Sequence, residues 1–552
     1  VFFSLLTLLS AAAFSDDSTL TGPKFDVADV HNSPHVTQPF VRGPFFSTGR
    51  YELRFATMLD LIRTAYDLDP EKISGGPSWL EMDRFDVLAK MPEHSTAESR
   101  RLMLQALLTE RFGLKIHNDS RPMTAYALTA PKHSELKESD GSGETGCNFN
   151  VPNPPPPGPP TPGTPIQLPV IVYTCRNTSM TSLAAGILNF AGAGQYFNNT
   201  LVVDKTDLKS NWDFTFRFTP KVPAGITVTG ESITIFDALE KQLGLKLELT
   251  TVPMPVIVVD NVNRKPTENS PEAMKSFPPL PTEFEVASLK PSDPDANANG
   301  GRGGGPPRPD IKNGRLYLPQ FSLKNLIMIS WDLNTDERVA NAPKWLDDDK
   351  YDILAKAPAN VAIGDLTPNR NTVPVNIDAL RPMLRNLVIE RFKMQSHLED
   401  RPLNAYNLVA VKPKLKQADP NSRTRWQEGA LPDSKNNKNA STALGRLVTC
   451  QNVTMAQFAE LLPGIAPGYL HTDVIDATGL EGGFDFTFSF SPIGVLQFNR
   501  RGDGSNSEAA DPSGAVSLFD AVAKQLGLKL EQQKRPTQVL VIDSIERKPV
   551  EN

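Results

Sequence analysis

The sequence predicts an α+β fold: two tandem homologous units, each of two small lobes with mixed or antiparallel sheets and helices packed on one face. Three observations carry this. The chain repeats itself along its length. Helical spacing alternates with short period-two segments, without a long run of βαβ units. At 552 residues the chain is also too long for one ordinary core, and about 150 residues per domain suggests roughly three or four compact units.

The repeats read off directly. FDVADVHNS (25–33) is answered by FEVASLKPS (284–292), and WLEMDRFDVLAK (79–90) by WLDDDKYDILAK (345–356). ERFGLKIHNDSRPMTAYAL (110–128) pairs with ERFKMQSHLEDRPLNAYNL (390–408), and YTCRNTSM (173–180) with VTCQNVTM (448–455). KQLGLKLE occurs unchanged at 241–248 and 524–531, and RKPTEN (264–269) returns as RKPVEN (547–552). The expected organisation is a first unit over 24–269, a linker over 270–281 and a second unit over 282–552.

Within the first unit, MLDLIRTAYDL (58–68) has helical spacing and RFDVLAKM alternates as a strand. STAE (95–98) reads as a capping box opening the helix ESRRLMLQALLTERF, which leads into two strands, GLKIHN and MTAYALTA. After a proline-rich insert (151–169) come a helix around SMTSLAAGIL, strands LVVD and WDFTFRF, the helix ITIFDALEKQL, and strands LKLEL and PVIVVD. KQLGLKLE is a helix stop followed by a strand start. Gly244 and Gly527 stand where the chain leaves the helix with φ > 0, while its Lys, Gln, Lys and Glu face solvent.

Composition narrows location and partners. With 22% charged residues and a net charge of −6, nucleic acid and acidic membrane surfaces are not expected partners. The 49 prolines, about 9% of the chain, cluster in spacers that cannot form a core. VFFSLLTLLSAAAFSDD at the start predicts a truncated signal peptide over 1–15, too short to span a bilayer. Export to the periplasm or medium follows, without a transmembrane segment. Cys147 and Cys175 flank the proline-rich insert and are the disulfide candidates; Cys450 is left over, either buried and inert or a thiol for intermolecular pairing.

Chemistry-bearing residues are sparse. His117 and His397 are the histidines at matching positions, each followed by an acid and an arginine, Asp119 and Arg121 in one copy and Glu399 and Arg401 in the other. A carboxylate that fixes the tautomer suits histidine to proton transfer. Residues two apart on a strand share a face, so the plain reading is an exposed polar ladder. His117, Arg121, His397 and Arg401 are the candidate binding residues, and no catalytic residue is assigned. Asp83 with Asp86, Asp349 with Asp352, and the strand-closing Asp204 and Asp476 are the carboxylates a glycosidase would draw on; they are also ordinary turn residues. No metal set or cofactor motif is present. DPDANANGG (293–301) starts like a calcium loop, but its sixth position is Ala298 and its twelfth Gly304. Arg-Gly-Asp at 501–503 carries almost no information. Trp79 and Trp345 read as core anchors.

The combination of FDVADV and FEVASLKPS, GGPSWLEMDRFDVLAK, the ERF…H…R…Y segment, the VVDKT and VIDAT turns, and the IFDALEKQLGLKLE to RKPTEN ending resembles a soil-associated bacterial family of unknown function. That family is known chiefly from acidobacteria, where it occurs in many paralogous copies, and the resemblance covers nearly all of both units. Similar domains look to be fused to membrane metallopeptidases of the antibiotic-sensing type, which implies an extracytoplasmic sensing or interaction role. The family supplies no catalytic residues. The second unit departs from the first at NAPKW, where GGPSW loses both glycines, and it lacks a counterpart of Cys147. The function expected is a non-enzymatic binding module for an unknown protein or polymer ligand outside the cytoplasm. The alternative is an extracytoplasmic hydrolase of cell-wall or plant polymers.

Overall fold

The computed structural model describes residues 22–550 except 38, 48, 132–135, 143, 153–165, 198–199, 222–227, 230–231, 278, 294–308, 362, 367–373, 431–444 and 495–514. The expected signal over 1–15, most of the proline-rich insert, nearly all of the calcium-like stretch and the Arg-Gly-Asp tripeptide lie outside the described residues.

The first lobe comprises β1 (Val27–Asn32), β2 (Arg42–Ser47), β3 (Arg50–Thr57), α1 (Met58–Tyr66), β4 (Ile73–Gly75), β5 (Arg84–Lys90) and α2 (Ala97–Phe112). Its antiparallel sheet runs β1-β5-β3-β2. Alternation places Val30, Leu53, Phe85 and Val87 on the inner face, where they pack with Leu61 and Ile62 of α1 and Leu108 and Phe112 of α2. Helix α1 starts on a capping box between Thr57 and Asp60. The box expected at Ser95 and Glu98 is displaced by one residue. Thr96 is the cap and accepts from the Ser99 N–H, while Glu98 pairs with Arg101.

The rest of the unit supplies β6 (Lys115–Thr129), β7 (Lys137–Glu138), β8 (Gly146–Asn150), β9 (Ile166–Gln167), β10 (Ile171–Ser179), α3 (Met180–Gly186) and α4 (Gly194–Phe197). It continues with β11 (Val202–Asp204), β12 (Asn211–Phe218), β13 (Val228–Thr229), α5 (Ile235–Leu243) and β14 (Lys246–Asn261). A second antiparallel sheet, β7-β12-β10-β8, packs Tyr173, Phe214, Phe216 and Phe218 against Leu183 of α3 and Leu239 of α5.

Between the lobes lies one long ribbon. The segments expected as separate strands, GLKIHN with MTAYALTA and LKLEL with PVIVVD, are the continuous strands β6 and β14, paired antiparallel from Lys115↔Asn261 to Thr129↔Lys246. Proline normally interrupts a ladder because it has no N–H to donate. Here Pro122 stands directly opposite Pro253, midway along. At that point the ribbon is only two strands wide, since β4 joins β14 over Ile257–Val259 and β11 joins β6 over Tyr126–Leu128. Both prolines direct their missing donors outward to an edge, so no ladder bond is lost.

The second unit repeats this plan. Its elements are β15 (Val286–Pro291), β16 (Asp310–Lys312), β17 (Arg315–Ser322), α6 (Leu323–Ser330), β18 (Val339–Ala340), α7 (Trp345–Asp348), β19 (Lys350–Lys356) and α8 (Ile377–Phe392). They are followed by β20 (Gln395–Ala410), β21 (Lys416–Gln417), β22 (Arg425–Ala430), β23 (Arg446–Val453), α9 (Met455–Ile465), β24 (Val474–Asp476), β25 (Phe484–Phe490) and β26 (Leu528–Ser544). The sheets are β15-β19-β17-β16, β18-β26-β20-β24 and β21-β25-β23-β22, and Pro402 again faces Pro536.

The glycine and the four polar residues of the shared octapeptide each have a physical account. Gly244 and Gly527 close their helices at φ +67° and +68°. A Cβ on Gly527 would meet the Lys412 carbonyl oxygen, so space as well as φ demands glycine there. The polar residues find matching partners in both copies. Lys241 pairs with Asp237 and Lys524 with Asp520, at 2.8 and 2.9 Å. Lys246 pairs with Glu248 and Lys529 with Glu531, at 2.7 and 3.0 Å. Gln242 donates to the Arg217 carbonyl at 2.9 Å and accepts from its N–H at 3.0 Å; Gln525 does the same to Ser489 at 2.8 and 2.9 Å. Each glutamine amide thereby completes an edge of the neighbouring strand.

Cys147 and Cys175 lie opposite each other on β8 and β10, with their sulfurs at bonding distance. In the second unit Trp426 stands opposite Cys450, in the place Cys147 holds in the first. Cys450 is buried, and desolvation pushes its thiol up to about 12.

Candidate functional site

The ribbon carries His117 and His397. Alternation along β6 and β20 turns each out to be about half-exposed, with side chains 54% and 53% accessible. The nearest carboxylate is not the acid two residues on. His117 Nδ1 lies 2.8 and 2.9 Å from the Asp260 carboxylate oxygens, and His397 Nδ1 lies 3.0 Å from Asp543. With Nδ1–H donating, Nε2 becomes the ring's acceptor. Asp119 and Glu399 instead accept from Arg121 and Arg401, at 3.1 and 3.0 Å. The Arg121 hydrogen bond, with that of the Ser120 N–H, holds the Asp119 carboxyl below its usual range. Each ribbon thus presents a His–Asp dyad beside an Arg–acid pair. Asp260 and Asp543 were missed because 143 and 146 residues separate them from their histidines; the signal available was that an acid closes the same apolar run, VIVVD and VLVID, in both copies.

The carboxylates considered for hydrolysis are engaged elsewhere. Asp83 takes a two-pronged bond from Arg264 at 2.5 and 3.0 Å, and Asp349 takes one from Arg547 at 2.7 and 2.9 Å, so the RKP endings clasp their own first lobes. Asp86 accepts from the N–H of Phe55 and Asp352 from that of Gln320, both at 2.8 Å. These two donors sit at bulges with φ +51°, so the acids pin strained backbone rather than face a cleft. Asp204 and Asp476 accept from the N–H of Thr206 and Thr478, two residues on, which makes each a strand-end turn. Among the described residues, no group of three His, Cys, Asp or Glu could hold a metal ion.

A concavity lies between the units. It encloses about 1140 Å³ between the waist of the first ribbon and the outermost strand of the second unit's second lobe. One wall is Met123 and Thr124 on β6, Gln195 on α4, and Thr200 and Leu201; the other is Gln427, Glu428 and Gly429 on β22 with Leu447 and Thr449 on β23. At the margin Glu71 accepts from Arg425 and Gln427, each at 3.2 Å, and Glu428 pairs with Arg446 at 3.0 Å. Both acids are therefore charge-compensated, and the remaining polar lining is amide and hydroxyl. Arg121 stands two residues from Met123 on the same strand, so one ribbon links the His–Asp dyad to the cleft wall.

The units are held together beside this cleft. Arg423 reaches Glu81 at 2.8 Å and the Ile73 carbonyl at 2.9 Å, and the Thr424 N–H donates to the Ser78 carbonyl. Arg42 pairs with Asp378 at 2.6 Å while its guanidinium lies 4.8 Å from the ring centres of both Phe40 and Phe55. The departure between GGPSW and NAPKW falls at this contact, because Ser78 and Glu81 receive the second unit. Asn341 keeps the left-handed backbone of Gly75, at φ +58° against +69°.

No helix among the described residues is long and apolar enough to cross a membrane. No curated protein and no solved structure matches the chain. One family model matches twice, over 59–262 and 324–545, each time across both lobes and the ribbon of one unit. The chain therefore belongs, as a tandem pair, to the family described as "Protein of unknown function (DUF3738)".

Proposed function

We propose that this is an exported binding module whose ligand occupies the cleft between the two units. The observation that carries the reading is the lining of that cleft. Gln195, Gln427, Thr124, Thr200 and Thr449 can each donate and accept, and Glu71 and Glu428 are neutralised by arginines. Such a surface suits an uncharged polymer rich in hydrogen-bonding groups, a glycan chain above all. Engaging it from both units also fixes the ligand at two points, which raises avidity. Export is supported by the apolar run at 1–15 and by the Cys147–Cys175 pairing, which an oxidising compartment maintains.

The alternative, a polymer hydrolase, draws its support from the His117–Asp260 and His397–Asp543 dyads. One comparison separates the two. Wild type, Gln427→Ala/Thr124→Ala and His117→Ala/His397→Ala are assayed for binding and hydrolysis on a panel of glycan and peptide polymers. The binding reading expects the cleft variant to lose retention while the histidine variant keeps it. Polymer turnover that disappears with the histidines would replace it with the hydrolase. Fractionation of cells expressing the full-length gene tests location, and uncleaved protein in the cytoplasm would overturn export.

A further inference from the structure

The two first lobes differ on the outer faces of their sheets, away from the helices. In the first unit the central outward residue is Leu88, flanked in register by Asp29 on β1 and Glu52 on β3. Both acids are buried, at 8% and 3% exposure. The RKPTEN ending and the chain that follows it are anchored on the two flanking strands, the ending on β1 and the following chain on β3. Asn269 donates to the Asp29 carboxylate and accepts from the Val30 N–H on β1, and the Phe277 ring lies 6.0 Å from the Arg50 guanidinium on β3. Between these anchors Ala273 is fully buried. The stretch 267–277 therefore serves as a strap held against the sheet.

The corresponding face of the second unit carries Leu354 at the centre, flanked in register by Ser288 on β15 and Tyr317 on β17, with Val286 one row along. Val286, Leu354 and Tyr317 are 64%, 56% and 37% exposed. Around them on the same face stand Lys290, Lys312, Arg315 and Lys356, the last paired with Glu285 at 2.7 Å, against Asp310 and Asp352. Exposed apolar residues grouped inside a charged rim are the pattern that docking surfaces share.

We propose that this face docks a segment of a partner protein with the chemistry of the strap: a short stretch bearing acids, a small residue and an aromatic ring, as Glu268, Glu272, Ala273 and Phe277 do on the first unit. The occupant is placed by internal homology, because the same sheet position one unit earlier is covered by such a stretch. Charge complementarity agrees in sign, since Lys290, Lys312 and Arg315 outnumber Asp310 and Asp352 on the rim while the strap carries Glu268 and Glu272 against Lys275. None of these residues lines the cleft between the units, so the surface is independent of the binding site proposed above.

The probe is a fluorescent peptide of residues 267–280, TENSPEAMKSFPPL, titrated into the full chain and followed by anisotropy. Saturable binding is expected, weakened by about tenfold or more in Leu354→Lys. Because Leu354 is over half exposed, that variant keeps the wild-type Tm; Val286→Lys provides a second, independent reading. No binding to the wild type overturns the proposal. So does equal binding to the variants, which would mean that the peptide displaces the strap of the first unit. A wild-type dimer that Leu354→Lys dissociates, without peptide binding, would assign the face to self-association instead.

Discussion

A single glutamine side chain replaces a missing strand in each unit. Gln242 and Gln525 offer both ends of one amide to a main-chain N–H and C=O that have no strand neighbour at that point, a match that needs donor and acceptor together. Gln525→Ala is expected to lower stability by about 1 kcal/mol, because water replaces the lost bonds at a partly exposed edge. Gln525→Glu keeps the acceptor and loses the donor, so it should fall between the two in urea denaturation. Equal midpoints for all three proteins would reduce the amide to decoration. This role was not legible in the sequence. The octapeptide's repetition, its glycine and its leucines could be read because helix ends and strand starts are local, whereas the partners of Gln242 and Gln525 lie 25 and 36 residues away. The same limit hid Asp260 behind His117, and it made acids pinned to bulges resemble a hydrolytic pair.

At the scale of elements, the sequence identified helices and sheets but split each ribbon at its proline. Proline reads as a strand breaker because in most sheets both sides of a strand are paired. The opposed prolines of β6 and β14 show the exception, a waist whose two outer edges pair with no strand among the described residues. Those edges are the places where another chain's strand could add, and rings without N–H groups deny it the donors. Pro122→Thr/Pro253→Thr should therefore leave Tm nearly unchanged, within about 1 kcal/mol of stability, while restoring donors to both edges. The expected result is concentration-dependent association in light scattering, and a variant that stays as dispersed as the wild type would refute the protective role. The lobes' own connections were legible for the opposite reason, since caps such as Thr57 with Asp60 and turns such as Asp204 with Thr206 are written within a few residues.

Across the whole molecule, the arrangement of the units rests on charges taken out of water. Burial pushes Glu81 above its ordinary carboxylate range and Arg423 below its ordinary value, and their mutual attraction does not fully offset that desolvation. The sign of the pH effect follows. A raised folded value means that, between the unfolded pKa and the folded one, the folded protein binds more proton at Glu81 than the unfolded chain, so this group's stabilisation is complete below the unfolded pKa and is lost as pH rises through the raised folded value. Thermal scans from pH 4 upward, starting near the ordinary carboxylate value of about 4.3, should show this loss in the wild type and a flatter profile in Glu81→Gln. Identical profiles would show that the pair is not coupled to folding. The cleft itself could not be foreseen, because its walls come from β22, α4 and the ribbon waist of different units, and no local pattern records which units meet.

The docking of the units also limits how many can be joined. The Arg423–Thr424–Arg425 hook belongs to the second unit. The strand register that aligns Trp426 with Cys147 places Glu144, Thr145 and Gly146 at the same positions of the first. The seat is equally one-sided, with Ser78 and Glu81 in the first unit where the second has Lys344 and Asp347, the latter already paired with Lys324. Among the described residues hook and seat each occur once and satisfy one another. A third copy appended to either end would find neither, so duplication here has produced a closed pair rather than the first two links of a fibre.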